Sequence, residues 1–170
     1  QLSQYVDVDI YGKCGNLTKC DKHGKHDGDD NCLQMLRQDY KFYLSFENSW
    51  CPDYVTEKFY RPLLYDTVPI VLGGVDYDKF APPHSYINAM DFASAKELAE
   101  YLLLLNRTDD LYARYFDWKR HYDVALPAND GWCDLCKMAN DPNQPIKIYP
   151  DIKQWWMDRG QCETNWSLYF

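Results

Sequence analysis

The sequence has no long apolar run and few basic residues. Its longest apolar stretch, Tyr101–Leu105, is far shorter than the ~20 residues that span a membrane, and no signal-peptide pattern opens the chain. There are 18 Lys and Arg against 26 Asp and Glu, for a net charge of -8. Nucleic-acid binding normally needs a basic face, so we expect no nucleic-acid partner. The sequence also has no repeat or low-complexity block, and 170 residues suffice for a domain with its own core.

Cysteine, in contrast, is plentiful. Seven cysteines accompany three Asn-x-Ser/Thr sequons, at Asn16, Asn106 and Asn165. Such sequons accept glycans only in a chain that enters the secretory lumen, where disulfides also persist. This combination predicts a protein of the secretory pathway. Because no targeting segment is present, we expect the chain to be a fragment that lacks its membrane anchor.

The cysteines allow more than one pairing. Cys14 and Cys51 lie beside two predicted strand ends and are candidates for a disulfide, although spacing does not determine connectivity. An odd number of cysteines leaves one thiol free or paired outside this chain. The spacing of Cys20, His23, His26 and Cys32 superficially allows a zinc site. In a luminal loop, disulfides or uninvolved histidines are the better interpretation, so no metal site is predicted.

Apolar periodicity predicts alternating strands and helices. Alternation in Tyr5–Tyr11 predicts a strand, which a polar loop over Lys13–Asn31 follows. Ser94 opens a capping box, and Leu98, Leu102 and Leu105 share one helical face. The other predicted elements are a short helix Leu33–Gln38, strand Tyr40–Glu47, helix Tyr54–Tyr65, strand Val68–Leu72, a short strand at Tyr86 and Ile87, and helix Asp109–His121.

This order predicts an α/β fold, with a Rossmann-like parallel sheet and helices on both faces. The predicted division is a domain over residues 1–126 and a Cys- and Trp-rich tail over 127–170 that packs on it.

The segment YKFYLSFENSWCPDYVTEK, from Tyr40 to Lys58, combines a strand, a polar cluster, a turn and a helix that opens on Glu57 and Lys58. Ligands of α/β proteins bind where strand ends and helix starts converge, so a site is predicted here. Other interpretations exist for each residue taken alone. A Glu-Lys pair in a first helical turn is usually solvated surface, Asn48 could cap a turn, and Tyr43 and Tyr54 could pack against the core.

The blocks FYLSFENS, DYVTEKFY, VPIVLGG, FAPPHSYI, DFAS-KELAEYL and YFDW follow one another in an order that resembles the α1,3-fucosyltransferases of glycosyltransferase family 10. The resemblance covers Tyr40 to Trp118, and the later WCDLC resembles invertebrate members. It implies the C-terminal, donor-binding half of a GT-B enzyme. Such an enzyme transfers L-fucose from GDP-fucose to a GlcNAc hydroxyl with inversion, and it is a type II protein of the Golgi lumen and membrane.

The resemblance also implies a role for each residue of the motif. Lys58 would bind the diphosphate and stabilise the departing GDP, and Glu57 would accept hydrogen bonds from ribose hydroxyls. Glu47 would meet fucose hydroxyls or an oxocarbenium-like charge, so Lys58 and Glu47 are the predicted transition-state stabilisers. The donor-binding set implied is Tyr43, Glu47, Asn48, Tyr54, Glu57 and Lys58. Cys133 and Cys136 resemble a paired CxxC of the family rather than a redox centre.

An inverting transfer also needs a base, usually a carboxylate. The family takes this Glu from an N-terminal acceptor domain, which would precede the VDIYGKC segment, so we expect no catalytic base in this chain and no activity from it alone. We expect neither a cofactor nor an essential metal, because lysine and backbone N–H groups would carry the charge of the diphosphate. The acceptor, an N-glycan core GlcNAc or an outer lactosamine, is left open.

Two other functions remain compatible with these residues. The first is a non-catalytic module that binds a nucleotide sugar or a glycan, and the second is a secreted interaction domain without GDP binding. The motif also departs from the family pattern at Pro62, inside a predicted helix, and at Asp66-Thr67, where a Gly-containing turn is usual. Because of these departures, the sequence does not determine where the predicted helix Tyr54–Tyr65 ends.

Overall fold

The computed structural model describes residues 1–11, 15, 31–124 and 130–163, and the fold is given for these residues. Its centre is a parallel three-stranded sheet in the order β1-β2-β3, formed by Phe42–Phe46, Val68–Leu72 and Ile87–Asn88. All five residues of β2 are buried. A continuous apolar strand between two parallel neighbours is what the sequence predicted.

Helices cover both faces of this sheet. The α-helices of the described residues, whether or not they contact the sheet, are α1 Asn31–Asp39, α2 Glu57–Leu63, α3 Ala95–Arg107, α4 Asp109–Ala113, α5 Asp130–Asn140 and α6 Ile152–Gly160. Short 3-10 helices span Leu2–Gln4, Tyr77–Lys79, Ala89–Asp91 and Arg114–Arg120.

Two apolar clusters hold the layers together. On one face, the apolar stripe of α3 packs on alternate residues of β2, Val68 and Ile70 among them. On the other face, Phe59 of α2 packs with Val71 and Trp118. The α/β fold with helices on both faces of a parallel sheet is therefore confirmed.

The predicted strand over Tyr5–Tyr11 is wrong. Residues 7–10 are irregular, and only Tyr11 occupies a bridge position. The segment does not join the sheet of β1, β2 and β3, and its contacts are made by side chains: the Tyr40 hydroxyl donates to Asp9 at 2.5 Å and contacts the Tyr11 hydroxyl at 2.7 Å. A cavity of about 910 Å³ lies between this segment and β1.

The helical bounds also differ from the prediction. Helix α2 begins at Glu57 rather than Tyr54 because Thr56 has an extended backbone and caps the helix with its side chain. Its Pro62 lies one residue before the helix ends at Leu63, where the missing N–H costs little. The predicted helix Asp109–His121 is divided into α4 and a 3-10 segment, Arg114–Arg120.

The tail is attached at its far end. The described side chains of α5 and α6 are exposed, apart from the partly covered Gly160, so they do not support packing of these helices on the domain. Instead, Cys162 forms a disulfide with Cys51. The predicted boundary near residue 126 lies outside the described residues. None of the described helices has the length and apolar character needed to cross a membrane.

Candidate functional site

The site predicted from the motif lies where β1 ends and α2 begins. The strand leads into a hydrogen-bonded turn in which the N–H of Tyr54 donates to the carbonyl of Cys51 at 3.3 Å. Pro52 is the second residue of this turn, and Asp53 is the third, with a left-handed φ of 59°. This combination is typical of a type II turn, and it delivers the chain from the strand end to the helix start.

A buried carboxylate holds the start of α2. Glu47 has a fully buried side chain, whose Oε1 accepts hydrogen bonds from the backbone N–H of Thr56 at 2.8 Å and from its hydroxyl at 3.1 Å. The Thr56 hydroxyl also lies 2.8 Å from Oε2 of Glu47. Both carboxylate oxygens face Thr56, so Glu47 anchors the helix to the strand end. In this structure its side chain has no exposed oxygen for the predicted contact with fucose.

Thr56 links this carboxylate to Lys58. It is the N-cap of α2, and its Oγ1 accepts a hydrogen bond from the backbone N–H of Lys58 at 3.4 Å and another from Lys58 Nζ at 3.2 Å. A threonine hydroxyl has one proton to donate and two lone pairs to accept with, so these contacts use all of its capacity. The backbone N–H of Lys58, in the first turn of α2, is thus already bonded within the protein.

The ammonium group of Lys58 sits among three oxygen atoms. Besides Thr56 Oγ1, its Nζ lies 3.6 Å from Glu57 Oε1 and 4.0 Å from Glu47 Oε2. The Lys58 side chain is 27 % exposed, whereas that of Glu57 is 54 % exposed. Lys58 is therefore held by Thr56 and Glu47 on its buried side and is partly exposed to solvent, beside the more exposed carboxylate of Glu57.

Glu57 remains charged at neutral pH. A hydrogen bond from its own backbone N–H at the helix start lowers its pKa, and the positive charges of Lys58 and Arg61 lower the pKa further. A charged carboxylate accepts hydrogen bonds only, which suits the predicted contact with ribose hydroxyls.

Two glycines after β2 allow the loops to approach closely. A Cβ at Gly73 would lie 2.6 Å from the Tyr77 hydroxyl, and a Cβ at Gly74 would lie 3.0 Å from the Cys51 carbonyl oxygen. The end of β2 therefore packs directly against the turn that carries Tyr54.

The structure groups the predicted donor-binding residues only in part. Asn48 is exposed at the end of β1, and Tyr54 is half-buried at the end of the turn, so both lie in the connection that leads to Glu57 and Lys58. Tyr43 lies further back, toward the amino end of β1, and lines the cavity beside residues 6–11 instead. Its predicted contact with the donor is not supported by this position.

The predicted cysteine pairs are corrected. Cys51 is bonded to Cys162, 111 residues later in the chain, and not to Cys14, which lies outside the described residues. Cys133 and Cys136 are both free and exposed on α5. Their side chains are separate thiols here and not the CxxC pair that the resemblance implies.

The other predicted sites are described only in part. Asn106 is exposed in the last turn of α3, where its side chain is accessible, whereas Asn16 and Asn165 lie outside the described residues. So do Cys20, His23 and His26 of the rejected zinc site. Elsewhere, within the described ranges, no group of three His, Cys, Asp or Glu side chains is arranged to hold a metal.

Several residues that shape the site were not predicted from the sequence. Thr56 had a readable signal, since a threonine directly before a helix that opens on Glu is a common N-cap. Cys162 and Gly74 had none, because their partners are distant in the sequence.

Comparisons with known proteins agree on one family. A family model described as glycosyltransferase family 10 (fucosyltransferase), C-terminal, matches residues 1–155. Alpha-(1,3)-fucosyltransferase C of Drosophila melanogaster is 44 % identical over 170 residues, which cover 99 % of this chain and 38 % of the relative. Glycoprotein 3-alpha-L-fucosyltransferase A of the same fly is also 44 % identical, over 97 % of this chain and 32 % of the relative.

Alpha-(1,3)-fucosyltransferase fut-1 of Caenorhabditis elegans is 37 % identical over 99 % of this chain and 39 % of the relative. The chain thus spans between about a third and two fifths of these relatives.

A crystal structure of an alpha1,3-fucosyltransferase with GDP-fucose is 26 % identical, with a TM-score of 0.51 over 72 % of this chain and 37 % of that one. A second alpha1,3-fucosyltransferase structure gives a TM-score of 0.52 at 26 % identity, over 73 % of this chain and 38 % of that chain.

Proposed function

This chain belongs to glycosyltransferase family 10, the fucosyltransferases, and from that membership we propose that it binds GDP-fucose for α1,3 transfer of fucose to GlcNAc of a glycoprotein glycan. The observation that carries the proposal is the placement of Lys58. Its ammonium is partly exposed at the helix start after β1, where α/β proteins bind nucleotides. The solved relative that holds GDP-fucose supports the choice of donor.

In this proposal Lys58 neutralises the diphosphate. It trades its 3.6 Å contact with Glu57 for phosphate oxygens and stabilises the charge that develops as GDP departs. Glu57, once released, accepts hydrogen bonds from the ribose. Tyr54 and Asn48, in the connection between β1 and α2, contact phosphate or fucose. Glu47 acts indirectly, by fixing Thr56, and Tyr43 is left out of the site.

We propose that the inverting base comes from outside this segment. The residues around Lys58 include two carboxylates, but Glu47 is fully buried and Glu57 is assigned to the ribose. The base and the acceptor site would belong to the part of the relatives that this chain does not match, and we expect no transfer by these 170 residues alone. No metal is assigned to the reaction, since lysine carries the phosphate charge.

Calorimetric titration with GDP and with GDP-fucose tests the donor site. Wild-type chain should bind both, and Lys58→Met should weaken binding by about tenfold or more, because a charge-assisted contact to phosphate is lost. Lys119→Met is the matched control. Its side chain is 33 % exposed, close to the 27 % of Lys58, but it pairs with Asp66 in the turn before β2, at the opposite end of the strands.

Equal affinities of wild type and Lys58→Met would refute the assignment. Fucosylated product from the chain alone, in an assay with a glycan acceptor, would refute the external base.

We also propose a location in the Golgi lumen. A disulfide between Cys51 and Cys162 suits an oxidising compartment, and Asn106 is exposed within a sequon. An antibody against this chain should co-localise with Golgi markers in cells that produce the protein, and the chain secreted behind a leader peptide should lose mass on glycosidase treatment. Asn106→Gln should reduce that mass loss by one glycan.

A further inference from the structure

The end of the tail is fastened to the turn that carries Tyr54. Cys162 is bonded to Cys51, and the N–H of Glu163 donates to the carbonyl of Trp50 at 2.8 Å in an isolated antiparallel bridge. Two consecutive residues of the tail are therefore joined to two consecutive residues of the turn segment, one pair by a covalent bond and the other by a backbone hydrogen bond.

The turn is also constrained by its own backbone. Its first residue, Cys51, is only 3 % exposed, and the carbonyl of Cys51 accepts the N–H of Tyr54, its last residue. Between them, Asp53 holds a left-handed conformation that an L-residue without glycine's freedom adopts only at a cost. A strained turn keeps its shape only when its surroundings determine it.

The chain leaving β2 supplies a further constraint. A Cβ at Gly74 would lie 3.0 Å from both the Cys51 carbonyl oxygen and Trp50 Cδ1. The turn thus packs directly against the backbone of Gly74, with no side chain between them. A shift of Cys51 would therefore move Tyr54 and the start of α2.

We propose that the Cys51–Cys162 disulfide and the Glu163–Trp50 bridge form a clamp that positions the Tyr54 turn, and with it Lys58, for the donor diphosphate. This inference rests on the proposed function. Cys51 and Cys162 are positioning residues, which act through the turn and not by contact with the donor. A clamp of this kind removes loop conformations that would otherwise be lost on binding, so its absence weakens donor affinity.

The test is the affinity for GDP of the double variant Cys51→Ser/Cys162→Ser, measured by calorimetry at a temperature where circular dichroism shows a folded chain. We expect the dissociation constant to rise about tenfold, as small misplacements of a binding group do. Cys133→Ser/Cys136→Ser removes two exposed thiols from the same tail and should leave the affinity unchanged. A lower melting temperature with unchanged GDP affinity would overturn the clamp and leave a purely structural disulfide.

A second variant keeps the disulfide and covers the case in which the first does not fold. Glu163→Pro removes the N–H that bonds to Trp50, whereas Glu163→Ala retains it. We expect weaker GDP binding for the proline variant than for the alanine variant, and equal affinities would overturn the proposal. If wild type itself binds no GDP, the proposed function fails and this inference fails with it, whereas unchanged affinity in the variants rejects the clamp alone.

Discussion

The hydroxyl of Ser45 donates a hydrogen bond of 2.9 Å to the backbone carbonyl of Lys58. Pro62, four residues after Lys58, has no N–H, so the helical bond that would normally reach this carbonyl cannot form. Ser45 is fully buried on β1 and supplies the missing donor. The link explains how α2 tolerates its proline, and it ties the backbone of Lys58 directly to the central sheet.

We predict that Ser45→Ala lowers the free energy of unfolding by about 1–3 kcal/mol, because it leaves a buried carbonyl without a donor. In a Pro62→Ala background the loss should be smaller, since the residue at position 62 then supplies an N–H to the same carbonyl. Urea denaturation of the wild type, both single variants and the double variant gives the coupling between the two positions. Ser45→Thr keeps the hydroxyl and serves as the control. An equal loss in both backgrounds would contradict the link.

The sequence was most informative where local pattern and burial agree. The apolar run of β2 and the capping box before α3 both predicted elements that the structure contains, because a buried strand and an amphipathic helix each leave a period in the sequence. The position of Lys58 at the start of a helix after β1 also followed from the order of strand, turn and Glu-Lys pair.

What failed depends on partners that are distant in the chain. The disulfide of Cys51 joins residues 111 positions apart, and no local signal identifies Cys162 as its partner. The alternation in Tyr5–Tyr11 indicated a strand, but the side chains bond to Tyr40, which lies about thirty residues later. The burial of Glu47 beneath Thr56 also depends on tertiary packing, which the local sequence does not show.

The hydroxyl of Thr56 should matter more than its methyl group. We predict that Thr56→Val lowers the free energy of unfolding by about 1–3 kcal/mol, since it removes the N-cap of α2 and one donor to the buried Glu47 carboxylate. Because Lys58 Nζ also loses its 3.2 Å contact with this hydroxyl, GDP affinity should fall as well. Thermal unfolding and calorimetry measure the two effects. Thr56→Ser retains the hydroxyl, and a serine variant as unstable as the valine variant would contradict the assignment.

Tyr77 and Tyr112 allow a comparison of two buried hydroxyls, one without and one with a hydrogen-bond partner. Among the described residues the Tyr77 hydroxyl has no hydrogen-bond partner, whereas that of Tyr112 donates to the Lys41 carbonyl at 2.7 Å. We predict that Tyr77→Phe is neutral or stabilising at pH 7, while Tyr112→Phe costs about 0.5–1.5 kcal/mol. Chemical denaturation of both variants checks this, and a larger loss for Tyr77→Phe would reveal a partner for its hydroxyl.

The same tyrosines predict sensitivity to alkali. Burial raises the pKa of Tyr77, with a contribution from the charge of Glu47, and burial with the charge of Asp66 raises the pKa of Tyr112. A raised pKa stabilises the fold fully below the unfolded value of about 10, and this stabilisation is lost as the pH rises above it. Melting temperatures measured from pH 8 to pH 11 should therefore fall at the upper end. Tyr77→Phe should make the decrease of melting temperature with pH less steep. The same decrease in this variant as in the wild type would show that Tyr77 is not its cause.

Asp66 lies in the turn before β2 and adopts a left-handed φ of 54°. Its carboxylate pairs with Lys119 and, at 3.4 Å, with Arg37. We predict that Asp66→Ala is less stable than Asp66→Asn by about 1 kcal/mol, since both lose the ion pairs but asparagine tolerates the left-handed region better than alanine. Asp66→Gly should equal or exceed the asparagine variant, because glycine removes the backbone cost. Thermal melts of the three variants separate the contribution of the ion pairs from that of the left-handed backbone. If the alanine and asparagine variants have the same melting temperature, the ion pairs and not the backbone determine which residue this turn accepts.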